Sequence, residues 1–158
     1  MDIRKSQALA DILKDKSLLK DKCYINGAWV GGEKTIDVTN PVDNRVIGSV
    51  PRHGTQETRS AIEGAEKAQK LWARKTAKER AGILKKWYAL MMEKQEDLAQ
   101  ILTAEQGKPL AESRGEIAYG ASFIEWFAEE ARRVYGETVP VPFPNGRAVV
   151  IKQPVGVI

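Results

Sequence analysis

Thr103-Ala-Glu-Gln-Gly-Lys-Pro-Leu-Ala-Glu-Ser-Arg-Gly-Glu-Ile-Ala-Tyr-Gly-Ala-Ser-Phe-Ile-Glu-Trp-Phe-Ala-Glu-Glu130 decides how this chain folds. The stretch closes one helix and opens another. Gly107 suits the left-handed position that ends a helix. Pro109 cannot continue the old helix, but its fixed φ suits the first position of a new one. The new helix is predicted from Pro109 to about Tyr135, with Gly136 as its stop. Ile117, Ala121, Ile124, Ala128, Ala131 and Tyr135 recur at helical spacing and form one buried face. Tyr119, Phe123, Trp126 and Phe127 form a second, aromatic face beside it. A helix apolar over so much of its circumference calls for cover on more than one side, much of it from protein outside this chain.

Upstream, Thr76-Ala-Lys-Glu79 matches a capping box, in which hydroxyl and carboxylate satisfy the first free N–H groups reciprocally. It opens a helix predicted to run to Gly107, with Ile83, Leu84, Trp87, Leu90, Met91, Leu98 and Ile101 inward. Before it, Thr55 reads as the N-cap of a helix carrying Ala61, Ile62, Ala65, Ala68 and Trp72. The expectation is three long helices. They are preceded by small antiparallel strands: Cys23 to Val30 folds about Asn26-Gly27, a strong hairpin signal because both central positions of a type I′ turn need φ > 0. Ile36 to Pro41 and Val46 to Pro51 read as two more strands around the turn Val42 to Arg45. Residues 1 to about 20 read as an amphipathic helix with Ile3, Leu9, Ile12 and Leu13 on one side. That helix is an arm docked on a body or a partner subunit; its mixed charges argue against a membrane surface.

After Gly136 the pattern changes. Thr138 to Arg147 contains Pro140, Pro142 and Pro144 and an Asn-Gly, which marks an extended edge or loop, since proline lacks a ladder donor. Arg147 to Gln153 is β-rich, and Val155 to Ile158 reads as the start of another strand. An apolar strand start at the last residues is expected of a chain cut from something longer.

Composition narrows the function classes. The chain has 158 residues, 42% hydrophobic, enough for one core, and 29% charged, normal for a solvated surface. Mean hydropathy is −0.39, and no apolar run approaches the length of a membrane span. The net charge of +4 is dispersed among acids rather than gathered in blocks, so neither nucleic acid nor membrane is an expected partner. Cys23 is the only cysteine, which rules out an internal disulfide and fits a cytoplasmic, reducing setting.

The reactive inventory is short. Cys23 and His53 are single, and nothing in the sequence brings them into contact; Cys23 reads as a half-buried strand residue and His53 as a loop residue. One His and one Cys cannot build a structural zinc site. There is no G-x-G-x-x-G, no Walker A and no G-x-S-x-G. The carboxylate pairs Glu129-Glu130 and Glu93/Glu96 read as solvated helix faces. The residues alone give an α-plus-β segment without a self-contained active site.

An ordered set of phrases adds to this. Tyr24-Ile-Asn-Gly-Ala-Trp29, Val38-Thr-Asn-Pro41, Val46-Ile-Gly-Ser-Val-Pro51, Trp72, Arg80-Ala-Gly-Ile-Leu84, Met91-Met-Glu93, Thr103 to Glu112 and Lys152-Gln-Pro-Val-Gly156 resemble the N-terminal half of the aldehyde dehydrogenase superfamily, from about Lys22 to Ile158. Ser122-Phe-Ile-Glu-Trp-Phe-Ala-Glu-Glu-Ala-Arg-Arg-Val-Tyr-Gly136 resembles its succinate-semialdehyde branch, glutarate-semialdehyde relatives included. The resemblance implies an α/β fold of β-hairpins, three long helices and oligomerisation-type strands, with an incomplete nucleotide-binding domain. It divides the chain into an arm (1–21), part of the NAD(P)-binding domain (22–136), oligomerisation or bridging strands (137–154) and the start of a Rossmann-type strand (155–158).

It also implies a reaction: oxidation of a small aldehyde to an acid with NAD or NADP. A cysteine thiolate attacks, a backbone N–H and an Asn amide hold the oxyanion, and a glutamate activates water. In the family these groups follow the point where this sequence ends, and Cys23 does not correspond to the catalytic cysteine. No catalytic or cofactor-binding residue is carried over, and the 158 residues alone are expected to be inactive. By resemblance, Phe123, Trp126 and Phe127 flank the substrate tunnel, with ordinary core packing as the competing reading. Val38 or Thr39 carbonyls with the Glu105 carboxylate match a structural monovalent-cation site, with a solvated Glu105 as the competing reading. The region Val139 to Gln153 matches strands used for subunit contact, so a homo-oligomer is expected. The rival reading is a non-catalytic remnant or interaction module that associates with a full-length subunit. With so many apolar faces, the isolated chain is expected to expose a large patch and self-associate.

Overall fold

The computed structural model describes residues 8–158. Its N-terminal arm is less regular than expected. α1 is a single turn, Leu9–Ile12, and a 3-10 turn follows over Lys16–Leu18. Asp15 explains the interruption: its carboxylate accepts the Ser17 N–H at 3.0 Å and the Ser17 hydroxyl at 2.6 Å, a local alternative to continued helix. Leu13 is buried and Leu9 half-buried, but Ile12 is exposed. Ile3, the first residue of the expected apolar side, lies outside the described residues.

Three separate antiparallel pairs make up the β structure of the described residues. β1 (Cys23–Ile25) and β2 (Ala28–Val30) join through Asn26 and Gly27 at φ +52° and +82°, the pair of positive values a type I′ turn requires. β3 (Thr35–Thr39) pairs with β4 (Val46–Pro51). β3 stops at Thr39, before the expected Pro41, because Asn40 begins the turn: its N–H donates across to the Arg45 carbonyl at 2.9 Å, while its side chain accepts the Val42 N–H at 2.9 Å and its carbonyl the Asn44 N–H at 2.8 Å. The register slips between Val38 and Thr39, leaving Ile47 without an opposite residue, and such a bulge bends the strand.

Among the described residues the long helices number four, not three. α2 (Thr55–Arg74) begins after Gly54, so Thr55 is its first helical residue and not its cap. The Glu57 carboxylate accepts the Gly54 N–H at 2.9 Å; glycine has no side chain to return the bond, so half a capping box remains. α3 (Ala77–Glu93) opens with the full box: the Thr76 N–H donates to Glu79 at 2.7 Å and the Glu79 N–H to the Thr76 hydroxyl at 3.3 Å. The helix expected to continue to Gly107 breaks at Lys94, at φ −98° and ψ 12°, and resumes as α4 (Gln95–Gln106). No Gly or Pro marks the break. Packing accompanies it: just beyond, Asp97 and Ala99 are buried, and the Lys94 ammonium lies 3.5 Å from Asp15 and 3.2 Å from Glu93.

Gly107 closes α4 at φ +78°, its N–H donating to the Thr103 carbonyl at 2.9 Å. Pro109, at ψ 139°, is the cap before α5 rather than its first residue, and α5 runs Leu110–Glu130. It ends short of Tyr135, because the Arg132 and Arg133 N–H groups fold back onto Glu129 and Glu130 in turns. Tyr135 is therefore exposed and not on the buried face. Gly136 serves the strands instead of stopping the helix: a Cβ there would lie 2.4 Å from the Val150 carbonyl oxygen. β5 (Glu137–Pro140) pairs with β6 (Arg147–Val150). The expected β run stops at Val150, and Val155 to Ile158 joins no ladder, since no further strand lies alongside them among the described residues.

α3 and α4 pack on α5, with Ala81, Ala99, Ala121 and Ala128 fully buried between them. Alanine there lets the backbones approach closely, and Ser113 meets Thr103 hydroxyl to hydroxyl at 2.8 Å across the α4–α5 seam. The inward set expected on α3 divides: Leu84 and Met91 are partly covered, while Ile83, Trp87 and Leu90 point outward. α3 is apolar on two faces, and α5 covers only one.

Candidate functional site

α5 presents the site. On its covered side Ile117, Ala121, Ile124, Ala128 and Ala131 are buried or half-buried as the spacing predicts, Ser113 joins them, and Tyr135 does not. On the other side Phe123, Trp126 and Phe127 are 48%, 64% and 58% exposed. They line one open depression of about 560 Å³ with Ser122, Glu125 and Glu129. The three residues expected beside a substrate passage thus share one exposed depression. Tyr119 stacks edge-on against Phe123, with ring centroids 4.9 Å apart at 79°, an arrangement that suits the ring quadrupoles and steadies the upper end of the row.

Ion pairs bridge α5 to the neighbouring helices beside that face. Arg114, one residue past the buried Ser113, grips Glu96 of α4 with two nitrogens at 2.7 and 2.9 Å. Hydrogen bonding from the Arg114 guanidinium holds the Glu96 carboxyl down at about 2. Lys85 of α3 reaches Glu129 of α5 at 2.6 Å, and its ammonium lowers the Glu129 carboxyl below the usual range. Glu130 pairs with Arg133 at 2.6 Å. The acids that read as solvated faces are each paired with a cation. Spacing did not predict the two interhelical pairs, because their partners lie 18 and 44 residues away in sequence.

Two of the three residues expected at a cation site lie together. Val38 and Glu105 line one cleft of about 250 Å³, with Ile47, Ile101 and Asp21 among its walls. The bulge in the β3–β4 pair bends the strands at this position. Thr39 is not among the residues lining that cleft. Among the described residues no cluster of three His, Cys, Asp or Glu side chains is placed to hold a metal, so any ion here would depend on backbone oxygens. Cys23 sits half-buried at the start of β1, opposite Val30, as expected of a strand cysteine. His53 lies in the loop between β4 and α2, with its Nε2 buried and unpaired.

No local signal pointed to Asp97. It is 4% exposed, and its carboxylate accepts the backbone N–H groups of Lys14 at 3.0 Å and Asp15 at 2.9 Å. It ties the arm to the α4 end of the helical unit.

The helix termini present here do not fit a dinucleotide. A helix N-terminus binds phosphate through free N–H groups and its positive dipole end. α2, α3, α4 and α5 each place an acid in the first turn: Glu57, Glu79, Glu96 with Asp97, and Glu112. Those carboxylates would repel a pyrophosphate. No helix among the described residues is long and apolar enough to cross a membrane.

The Aldehyde dehydrogenase family profile matches residues 29–158. The chain belongs to that family. This aldehyde dehydrogenase family chain is 58% identical over 147 residues to the glutarate-semialdehyde dehydrogenase of Pseudomonas putida, a match covering 92% of the chain and 31% of the relative. It is 54% identical to the NADP+ succinate-semialdehyde dehydrogenase of Escherichia coli K12, over 92% of the chain and 30% of the relative. Its backbone superimposes on the crystal structure of an aldehyde dehydrogenase from Brucella melitensis biovar abortus with a TM-score of 0.89 at 56% identity, covering 91% of the chain and 30% of that structure. The α/β fold implied by the sequence phrases is the fold of these relatives. The chain spans about three tenths of the length of the curated relatives it matches.

Proposed function

We propose that this chain is the N-terminal part of an NAD(P)+-dependent dehydrogenase that oxidises a carboxylate-bearing semialdehyde to a dicarboxylic acid. What carries this reading is the 58% identity to a glutarate-semialdehyde dehydrogenase, sustained over 92% of the chain. The exposed aromatic depression on α5 supports it, because an apolar wall suits the methylene body of a small semialdehyde. In the complete enzyme a bound nicotinamide would accept the hydride that leaves the aldehyde carbon. The nucleophilic cysteine, the general-base glutamate and the cofactor contacts lie in sequence outside these residues, so the contribution here is scaffold: α5 held against α3 and α4, with one wall of the passage on it.

Two further features are offered as parts of the same reading. The cleft of Val38 and Glu105, with the Thr39 carbonyl next in the chain, suits a monovalent cation because its oxygens are hard ligands. The β5–β6 pair, which exposes Val149 and Val150, suits contact with a second subunit. A cytosolic setting agrees with a single unpaired cysteine.

The test is expression of the complete reading frame that includes these residues, assayed for NADH or NADPH formation with succinate and glutarate semialdehydes. Turnover by that product, with none from the purified 158-residue chain, is the expected result. Turnover by the short chain at verified mass, or none by the complete product, overturns the reading. The exposed faces of α3 and α5 favour one alternative, a non-catalytic module bound to a full-length subunit. A stop codon directly after Ile158, together with co-purification on such a subunit, would establish it.

A further inference from the structure

The aromatic depression on α5 has two carboxylates in its wall, Glu125 and Glu129. An anionic substrate approaching an apolar wall with two such charges meets repulsion that a neutral aldehyde does not. Only one of the two is compensated from another helix: Lys85 of α3 lies 2.6 Å from Glu129, with both side chains about half exposed, while Glu125 has no ion-pair partner among the described residues. Of the other cations near Glu129, Arg133 is engaged with Glu130 at 2.6 Å, and Arg132 follows on the turn after α5. We propose that Lys85 is a specificity-determining residue: by neutralising Glu129 it lets an anionic aldehyde enter along the Phe123–Trp126–Phe127 wall. The proposal rests on the semialdehyde reading above and adds to it a residue on a different helix, outside the lining itself. Lys85 acts through Glu129 and does not grip the substrate.

The sign of the charge makes this testable in the complete enzyme. The readout is the ratio of kcat/KM for succinate semialdehyde to that for butanal, a neutral aldehyde of the same chain length. Lys85→Gln unmasks one negative charge in the passage wall, and for a separation of about 6 Å under near-aqueous screening the ratio should fall by about threefold. Glu129→Gln leaves Lys85 unmasked, and the ratio should rise by about threefold for the same reason. The double variant should return near the starting ratio, and about 0.5 M salt should compress all the differences. A merely structural brace would lower the rate for both aldehydes in both single variants and leave the ratio alone. That outcome, or shifts of the same sign in the two single variants, overturns the proposal while the semialdehyde reading stands. An unsubstituted enzyme that oxidises neither aldehyde overturns both.

Discussion

Replacing Asp97 by alanine should release the N-terminal arm while leaving the helical unit intact. The carboxylate accepts two backbone N–H groups, Lys14 at 3.0 Å and Asp15 at 2.9 Å, from a side chain 4% exposed. A hydrogen bond to a charged group contributes about 1.5 kcal/mol at the low end of its range, so two contribute about 3 kcal/mol. The low end applies because the freed N–H groups can turn to water as the arm lifts. At 1.36 kcal/mol per decade, about 3 kcal/mol is about a hundredfold in the arm-opening equilibrium. Backbone hydrogen exchange at Lys14 and Asp15 should therefore accelerate about a hundredfold in Asp97→Ala. In Asp97→Asn the amide can accept one of the two bonds but turns its own donor at the other, so about tenfold is expected. Amides of Ala121 and Ala128, in the α5 core, should keep their rates in both variants. Exchange at Lys14 and Asp15 within about threefold of the unsubstituted chain in Asp97→Ala would refute the clamp, since the loss of even one such bond exceeds that.

Two further predictions follow from pairs that cross between elements. The Glu96 carboxyl is depressed from 4.5 to about 2 by the Arg114 guanidinium, so the stability it contributes is complete above about 4.5 and is lost as the pH falls toward 2. A side-chain NMR titration should show the low midpoint, returning to the ordinary carboxylate range in Arg114→Ala; an unchanged midpoint in that variant would remove Arg114 as the cause. At the other end of the molecule, a Cβ on Gly64 of α2 would sit 1.5 Å from Oδ1 of Asn26 at the β1–β2 turn. Overpacking in Gly64→Ala should cost about 1–3 kcal/mol, offset by about 1 kcal/mol of helix propensity, and Asn26→Gly in the same chain should remove the overpacking and leave the propensity gain. Thermal unfolding of the single and double variants decides the matter, and a Gly64→Ala chain stabilised by the full propensity gain, with or without Asn26→Gly, would show that the hairpin tip is not seated on α2.

Local chemistry was legible where a residue's own geometry carries the signal. Asn26-Gly27, Thr76 with Glu79, and Gly107 all lie where their backbone preferences put them. The ordered phrases from Lys22 onward identified the family, and the period of α5 separated its alanine face from its aromatic face. Boundaries were less legible. Thr55 and Pro109 each shifted by one position, Thr55 becoming a first helical residue and Pro109 a cap, because a glycine N–H answered by Glu57 and a proline carbonyl answered by Ser113 satisfy the first turn as well as the expected residues would. The break at Lys94 was invisible, because the apolar period continues through it and only the packing beyond it requires a bend.

What the sequence by itself determined is therefore the hairpins, the cores of the long helices, their turn chemistry and their membership of a family, since propensity, capping and periodicity act over a few residues. The tertiary structure alone decided which apolar face of α3 and α5 is covered, that Asp97 would hold an arm 83 residues away, and that Lys85 would meet Glu129 across two helices. Those outcomes depend on crossing geometry and on groups far apart in the chain. Both faces of α3 are apolar in sequence; only packing distinguishes the alanine-lined contact with α5 from the outward row of Ile83, Trp87 and Leu90.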